Sequence, residues 1–363
     1  MSIFNTENIE STTGGAINFG QGLNVSGTDI KSLINMTEYY SQEIEPSSPS
    51  NGAVWVNGYT VYQYVGGAWR ILSVPSFAAP PPPPPPPPVW YGSRGVFGGG
   101  NDNSTVNVID YITIATPSNA IDFGDLTVAR EQLAACSDGS RGVFGGGSNG
   151  TNVIDYITIA TLGNAIDFGD LSVGRRILAA CSDGVKGVFG GGFGGTNVID
   201  YITIATLGNA IDFGDLTLGR YSLAACSDAT RGVFGGGNGP SNVIDYITIA
   251  TPSNAIDFGD LTVVREQLAA CSDGSRGVFG GQFSGTNTID YITIATPGNA
   301  TAFGNLTVTR NNFAACSDAT RGVFGGAFQS AVMDYITIAT LGNATDFGDL
   351  SVARRSLAAC SGS

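Results

Sequence analysis

The feature that most constrains this chain is an internal repeat. The string RGVFGG begins at Arg94, Arg141, Arg231, Arg276 and Arg321, and with lysine in first place at Lys186, so successive starts lie 47 and then four times 45 residues apart. A second string, DYITIAT, follows each, from Asp110, Asp155, Asp200, Asp245, Asp290 and Asp334. A third, of the type NAIDFGDL, comes next, and a fourth, AACS, carries Cys136, Cys181, Cys226, Cys271, Cys316 and Cys360. A period this long, repeated six times, describes one supersecondary unit that buries its apolar face against copies of itself.

Each unit reads as four short strands separated by glycine or polar turns: GVF before a glycine cluster, the β-branched YITIAT, a short AIDF, and LAAC before Ser-Asp. No stretch of the unit has helical periodicity. Four strands per period predict a β-propeller of six blades. The first copy lacks a preceding LAAC strand, and the last copy ends on one. The strand around Leu357 to Ser361 is therefore expected to complete the first blade, close the ring and remove an exposed edge.

These residues resemble the kelch repeats. That family carries an apolar run ending in a double glycine, a tyrosine in the next strand and an arginine just before the following blade. The matches in the second unit are Gly145 and Gly146, Tyr156 and Arg175, with equivalents in the other five. The kelch tryptophan is missing, and Phe123, Phe168, Phe213, Phe258, Phe303 and Phe347 sit near its place. The resemblance spans about three quarters of the chain and implies a fold rather than a function, because propellers host many functions.

The remainder is different in character. Residues 1–45 are polar and read as an N-terminal attachment segment, with partial helix expected near Ile30 to Tyr40. Residues 46–77 alternate strand residues around Asn57-Gly58 and Gly66-Gly67, which predicts a small sheet of two or three strands. The order of a tryptophan strand, a turn, a tyrosine strand and a Gly-Gly-x-Trp strand is similar to a module of bacteriophage structural and tail-fibre proteins. Residues 78–89 hold nine consecutive prolines, expected to form a polyproline II rod roughly 28 Å long, a stiff spacer before the propeller at 90–363.

Composition removes several functions. With no histidine, the usual base of Ser/His/Asp and Cys/His catalysis and the imidazole of most zinc sites are missing. Asp and Glu number 30 against 16 Lys and Arg, a balance of -14 that disfavours gripping nucleic-acid phosphates. No export signal and no membrane-spanning run is read from the sequence. The six cysteines occupy one place per blade and read as buried thiols rather than disulfides. GGGSNG from Gly145 and GGGFGG from Gly190 satisfy G-x-G-x-x-G, but strands rather than helices follow, so no nucleotide is expected. Asp155, Asp167 and Asp170 recur in nearly every blade, which points to pairing with blade arginines or turn capping rather than calcium or acid–base work. The expectation is a protein that is not an enzyme, with no cofactor and no metal.

What differs between copies is more informative. After the glycine cluster the units read NDNST, SNGT, FGGT, NGPS, FSGT and FQSA, and after the arginine EQ, RI, YS, EQ, NN and RS. In an antiparallel four-stranded blade these two connections lie on one face. The proline rod enters on the other. Phe193, Tyr221, Gln282, Phe283 and Phe328 are the expected ligand contacts.

The combined expectation is a virion structural protein of a tailed bacteriophage, a tail fibre or spike, displaying its propeller for adhesion to host-surface glycan. Its N-terminal module would join other virion proteins, and the fibre resemblance implies a homotrimer. A capsid-decorating fibre or knob and a cellular kelch-type interaction scaffold remain as alternatives.

Overall fold

The computed structural model describes residues 9–11, 17–19, 24–25, 28–29, 39–41, 47–57, 60–71, 92–238, 241–282 and 286–362. The chain divides into two units, Met1–Pro85 and Pro86–Ser363.

In the first unit Val54–Asn57, Thr60–Val65 and Ala68–Ile71 form an antiparallel meander, turned at Gly66 and Gly67 with φ of 62° and 87°. Tyr39–Ser41 adds in parallel to Val54–Asn57, so the sheet has four strands where the hairpin signals predict two or three. A hairpin leaves a turn signature in the sequence, whereas a parallel partner reached through a longer connection leaves none. Tyr39 and Tyr40, expected at the end of a helix, are therefore in a strand. The rest of that stretch and the proline rod lie outside the described residues.

The second unit is an all-β propeller of six four-stranded antiparallel sheets. In the second blade the strands run from the axis outward as Ala134–Ser137, Arg141–Gly145, Val153–Thr158 and Ile166–Asp170. The first blade holds Arg94–Gly98, Val108–Thr113 and Ile121–Asp125, and takes its innermost strand from Ala358–Gly362 at the other end of the chain. Cys360 stands opposite Val96 in that pairing, so the expected closure is present.

The apolar cores lie between blades rather than within them. Val96, Ile109 and Phe123 of the first blade pack with Phe144 and Ile157 of the second, and each following pair of blades repeats this cluster. Both faces of the RGVFG strand are thereby covered, which is why it reads as a continuous apolar and glycine run instead of alternating.

Two glycines set the spacing of the blades. A methyl carbon on Gly187 would stand 2.6 Å from Sγ of Cys136 in the preceding blade, and one on Gly190 would stand 2.6 Å from the Phe234 ring of the following blade. The cysteine, the phenylalanine and the two glycines of a repeat are thus one interlocking set across three blades.

Polar contacts complete the ring. Ser137 Oγ donates to the Ser361 carbonyl at 2.6 Å, Ser182 to Ser137 at 2.6 Å, Ser227 to Ser182 at 2.7 Å and Ser272 to Ser227 at 2.7 Å. Ser317 donates to Ser272 at 2.7 Å and Ser361 to Ser317 at 2.6 Å, so the six bonds form a closed circuit running one way round the axis. Farther out, Arg130 pairs with Asp155 at 3.0 Å, Arg175 with Asp200 at 2.7 Å and Arg354 with Asp110 at 2.7 Å, all buried and all between adjacent blades. Arg220–Asp245, Arg265–Asp290 and Arg310–Asp334 repeat the pair. A register shift between Ile154 and Asp155 lies where the carboxylate turns inward, the usual use of a bulge. Of the three aspartates per repeat expected to pair with arginines or cap turns, Asp155 is the buried arginine partner, while Asp167 is exposed on the outermost strand.

Candidate functional site: the variable rim

The two rims of the propeller differ in what fixes their residues. On the rim where the chain enters, Asp138 Oδ1 accepts hydrogen bonds from the backbone N–H of Ser140 and Arg141 at 2.8 and 2.6 Å. Arg141 then lies 5.0 Å above the Tyr156 ring and donates to the Ile204 carbonyl of the next blade at 3.0 Å. Asp138 is thus spent on its own turn, Ser137 on the neighbouring blade, and Arg141 on both the Tyr156 ring of its own blade and a carbonyl of the next. Their constancy among copies has a structural cause.

The opposite rim repeats its backbone but not its side chains. The N–H of Asn101, Ser148, Phe193 and Asn238 donates to the carbonyl of Arg355, Glu131, Arg176 and Tyr221 at 2.9, 2.7, 2.8 and 2.7 Å. The first set follows the glycine cluster and the second follows the buried arginine, so the two variable connections meet on one rim. Their side chains link them into arcs. Arg176 lies 4.3 Å above the Phe193 ring, which packs against Tyr221 at 5.3 Å. Beyond Tyr221, Asn238 Nδ2 donates to Glu266 Oε2 at 2.6 Å. In a second arc Arg355 lies 4.7 Å above the Phe328 ring, and Asn101 Nδ2 donates to Glu131 Oε1 at 3.3 Å.

Inside these arcs a ring of backbone bonds surrounds the axis. Gln132 N–H donates to the Ser356 carbonyl at 2.7 Å, Ile177 to Gln132 at 2.8 Å, Ser222 to Ile177 at 3.1 Å and Gln267 to Ser222 at 2.9 Å. Asn312 donates to Gln267 at 3.2 Å and Ser356 to Asn312 at 2.6 Å, closing the circle. All six residues hold a left-handed backbone, φ 53° to 63°, yet none is glycine. They enclose a shallow axial mouth of about 70 Å³ in which Asn312 Nδ2 donates to Gln267 Oε1 at 2.9 Å.

Of the residues expected to contact a ligand, Phe193 and Tyr221 are brought together, and Phe193 is 52% exposed. Phe328, 56% exposed, belongs to the other arc. The Gln282 side chain donates to the Val264 carbonyl at 3.3 Å and accepts from Thr286 Oγ1 at 2.7 Å. Phe283 lies outside the described residues. The sequence reading did not single out Arg176 and Arg355, whose stacking on the exposed aromatic rings depends on neighbours from another blade. The loop lengths are a further signal that the sequence carries. Thirteen residues separate Arg321 from Asp334, against 14 in the middle blades and 16 from Arg94 to Asp110.

The buried thiols are not part of this rim. Cys136 and its equivalents are free and pack between the innermost strands, where burial pushes each thiol up, Cys360 to about 12. Burial likewise lowers the guanidinium pKa of Arg130 and Arg175, with the paired aspartate opposing the shift.

No protein-family model matches this chain, and no curated protein is similar to it.

Proposed function

We propose that this propeller is the recognition part of a virion structural protein of a tailed bacteriophage, a tail fibre or spike, and that its variable rim adheres to host-surface glycan. One observation carries the reading: near-identical blades differ chiefly on one rim, and there the differences assemble exposed aromatic rings beside arginines. A rigid ring whose remaining side chains are spent on holding blades together is a scaffold on which rim residues change without unfolding it. The N-terminal module, similar in pattern to phage tail-fibre modules, joins the other virion proteins, and the proline run spaces the propeller from them. Phage fibres are commonly trimers, and by that resemblance a homotrimer is proposed here. The activity is binding without turnover.

The test is to incubate labelled full-length protein with an array of bacterial lipopolysaccharides, capsular polysaccharides and teichoic acids. Saturable binding to a subset, weakened by a combined Phe193→Ser and Phe328→Ser exchange, supports adhesion through the rim. Absence of binding to every surface polysaccharide, with the protein present on purified particles, overturns it in favour of passive decoration.

A further inference from the structure

The strand lengths of the ring repeat from blade to blade until the seam. In the sixth blade the strands Arg321–Ala327 and Ser330–Thr337 extend to a tight turn at Phe328 and Gln329, with Ala327 paired to Ser330. Next to it, across the point where the two ends of the propeller meet, the first blade carries the longest connection of the rim, bridged between Asn101 and Thr105. A raised hairpin beside a longer loop leaves a cleft of about 180 Å³ lined by Asn101, Asp102, Asn103, Phe328, Gln329 and Ala353. Its floor is tied down by reciprocal backbone bonds, Asn101 N–H to Arg355 carbonyl at 2.9 Å and Arg355 N–H to Asn101 carbonyl at 3.1 Å.

The chemistry of this cleft is specific. Phe328 offers an exposed aromatic ring, and Arg355 occupies a position 4.7 Å above it. Asn101 is committed: its Oδ1 accepts from the Asn103 N–H at 3.1 Å and its Nδ2 donates to Glu131. Asp102 Oδ1 accepts from the N–H and hydroxyl of Ser104, each at 3.3 Å. No hydrogen bond among the described residues uses Asp102 Oδ2 or the side-chain amides of Asn103 and Gln329. Asn103 and Gln329 also hold left-handed backbones, φ 118° and 55°, where glycine would cost less. An apolar ring flanked by one carboxylate oxygen and two amides can stack on a ring of C–H bonds while pairing with its hydroxyls. The Asp102 carboxylate in the cleft and the formal charge of -14 on the chain act against an anionic sugar, opposed locally by the Arg355 guanidinium held over the Phe328 ring, and the glucuronide arm of the test decides between them.

We propose that the seam cleft is a subsite for a single neutral pyranose, with Phe328 stacking on the sugar and Asp102, Asn103 and Gln329 bonding its hydroxyls. This rests on the glycan-adhesion reading and names the sugar class and the place. The experiment is saturation-transfer NMR on the full chain with methyl glucoside, galactoside, mannoside and N-acetylglucosaminide, and with methyl glucuronide as the anionic member. At least one neutral glycoside is expected to receive saturation, with affinity about tenfold or more weaker in Phe328→Ser and in Asn103→Ala, and unchanged in Leu162→Ser, an exposed position on the opposite rim. Thermal melts of the variants identify any that fail to fold, and Asn103→Ala on an exposed loop keeps the test open if Phe328→Ser does. Transfer to glucuronide alone, no transfer to any neutral glycoside, or transfer unaffected by both cleft variants overturns the subsite. If the array shows rim-dependent polysaccharide binding while these glycosides give none, adhesion survives and the subsite falls; sugar binding without any polysaccharide binding leaves the reverse.

Discussion

Arg354 Nη1 sits 2.7 Å from Asp110 Oδ2, both side chains fully buried, joining the last blade to the first across almost the whole length of the propeller sequence. The same guanidinium donates to the carbonyls of Gly99 at 2.9 Å and Phe97 at 3.2 Å, and Asp110 also accepts from the Ser351 hydroxyl at 2.5 Å. The seam is therefore held by the same polar set that joins any two neighbouring blades, together with the pairing of Ala358–Gly362 to Arg94–Gly98.

Removing one partner of such a pair leaves a buried charge without compensation. Asp110→Asn and Asp200→Asn are each expected to lower unfolding stability by about 3–5 kcal/mol. Equal losses in urea titration, with a single transition, mean that the ring unfolds as one unit and the seam is no weaker than an internal joint. A second transition in Asp110→Asn alone would show that the seam opens first.

Gly187 and Cys136 compete for one space. Gly187→Ala is expected to cost about 1–3 kcal/mol through overpacking. Adding Cys136→Ala vacates the sulfur position, so the double variant is expected to be more stable than the sum of its singles by about 0.5–3 kcal/mol. A double-mutant cycle from denaturant melts measures the coupling, and additivity would contradict the interlock.

Each cysteine is an acid whose pKa is raised in the folded state, above the ordinary thiol value of about 8.5. The unfolded chain loses these protons first, so their contribution is fully present below about pH 8.5 and declines as pH rises toward the folded values. Stability measured from pH 7 to 11 is expected to fall steeply above 8.5, less so with all six cysteines changed to alanine. A thiol reagent at pH 8 should label the protein only after denaturant is added.

Ile177 holds φ 57°, a conformation that a β-branched residue adopts at a cost. Ile177→Asn should raise stability by about 1 kcal/mol, read from the denaturant midpoint. Ser222→Asn, at φ 60° but without β-branching, should change it less.

Much of this molecule is legible in the sequence. The period gave the blade number, the alternation of β-branched and glycine runs gave four strands per blade, and the unmatched last LAAC gave the closure, because each is a local or terminal property of the chain. The differences between copies also located the variable connections, and strand parity placed them on one face. The parallel strand Tyr39–Ser41 left no such trace, since its pairing depends on no turn.

Tertiary structure alone decided which variable residues meet. Phe193 gains Arg176 from one connection and Tyr221 from another, and Phe328 gains Arg355, through the angle between successive blades rather than through sequence spacing. The short sixth connection and the long first one stand far apart in the chain, and they become the two walls of a cleft because the C-terminal strand closes the ring and sets those blades side by side. The repeat determined the scaffold because every unit solves the same packing problem; the seam is decided only where the two ends meet.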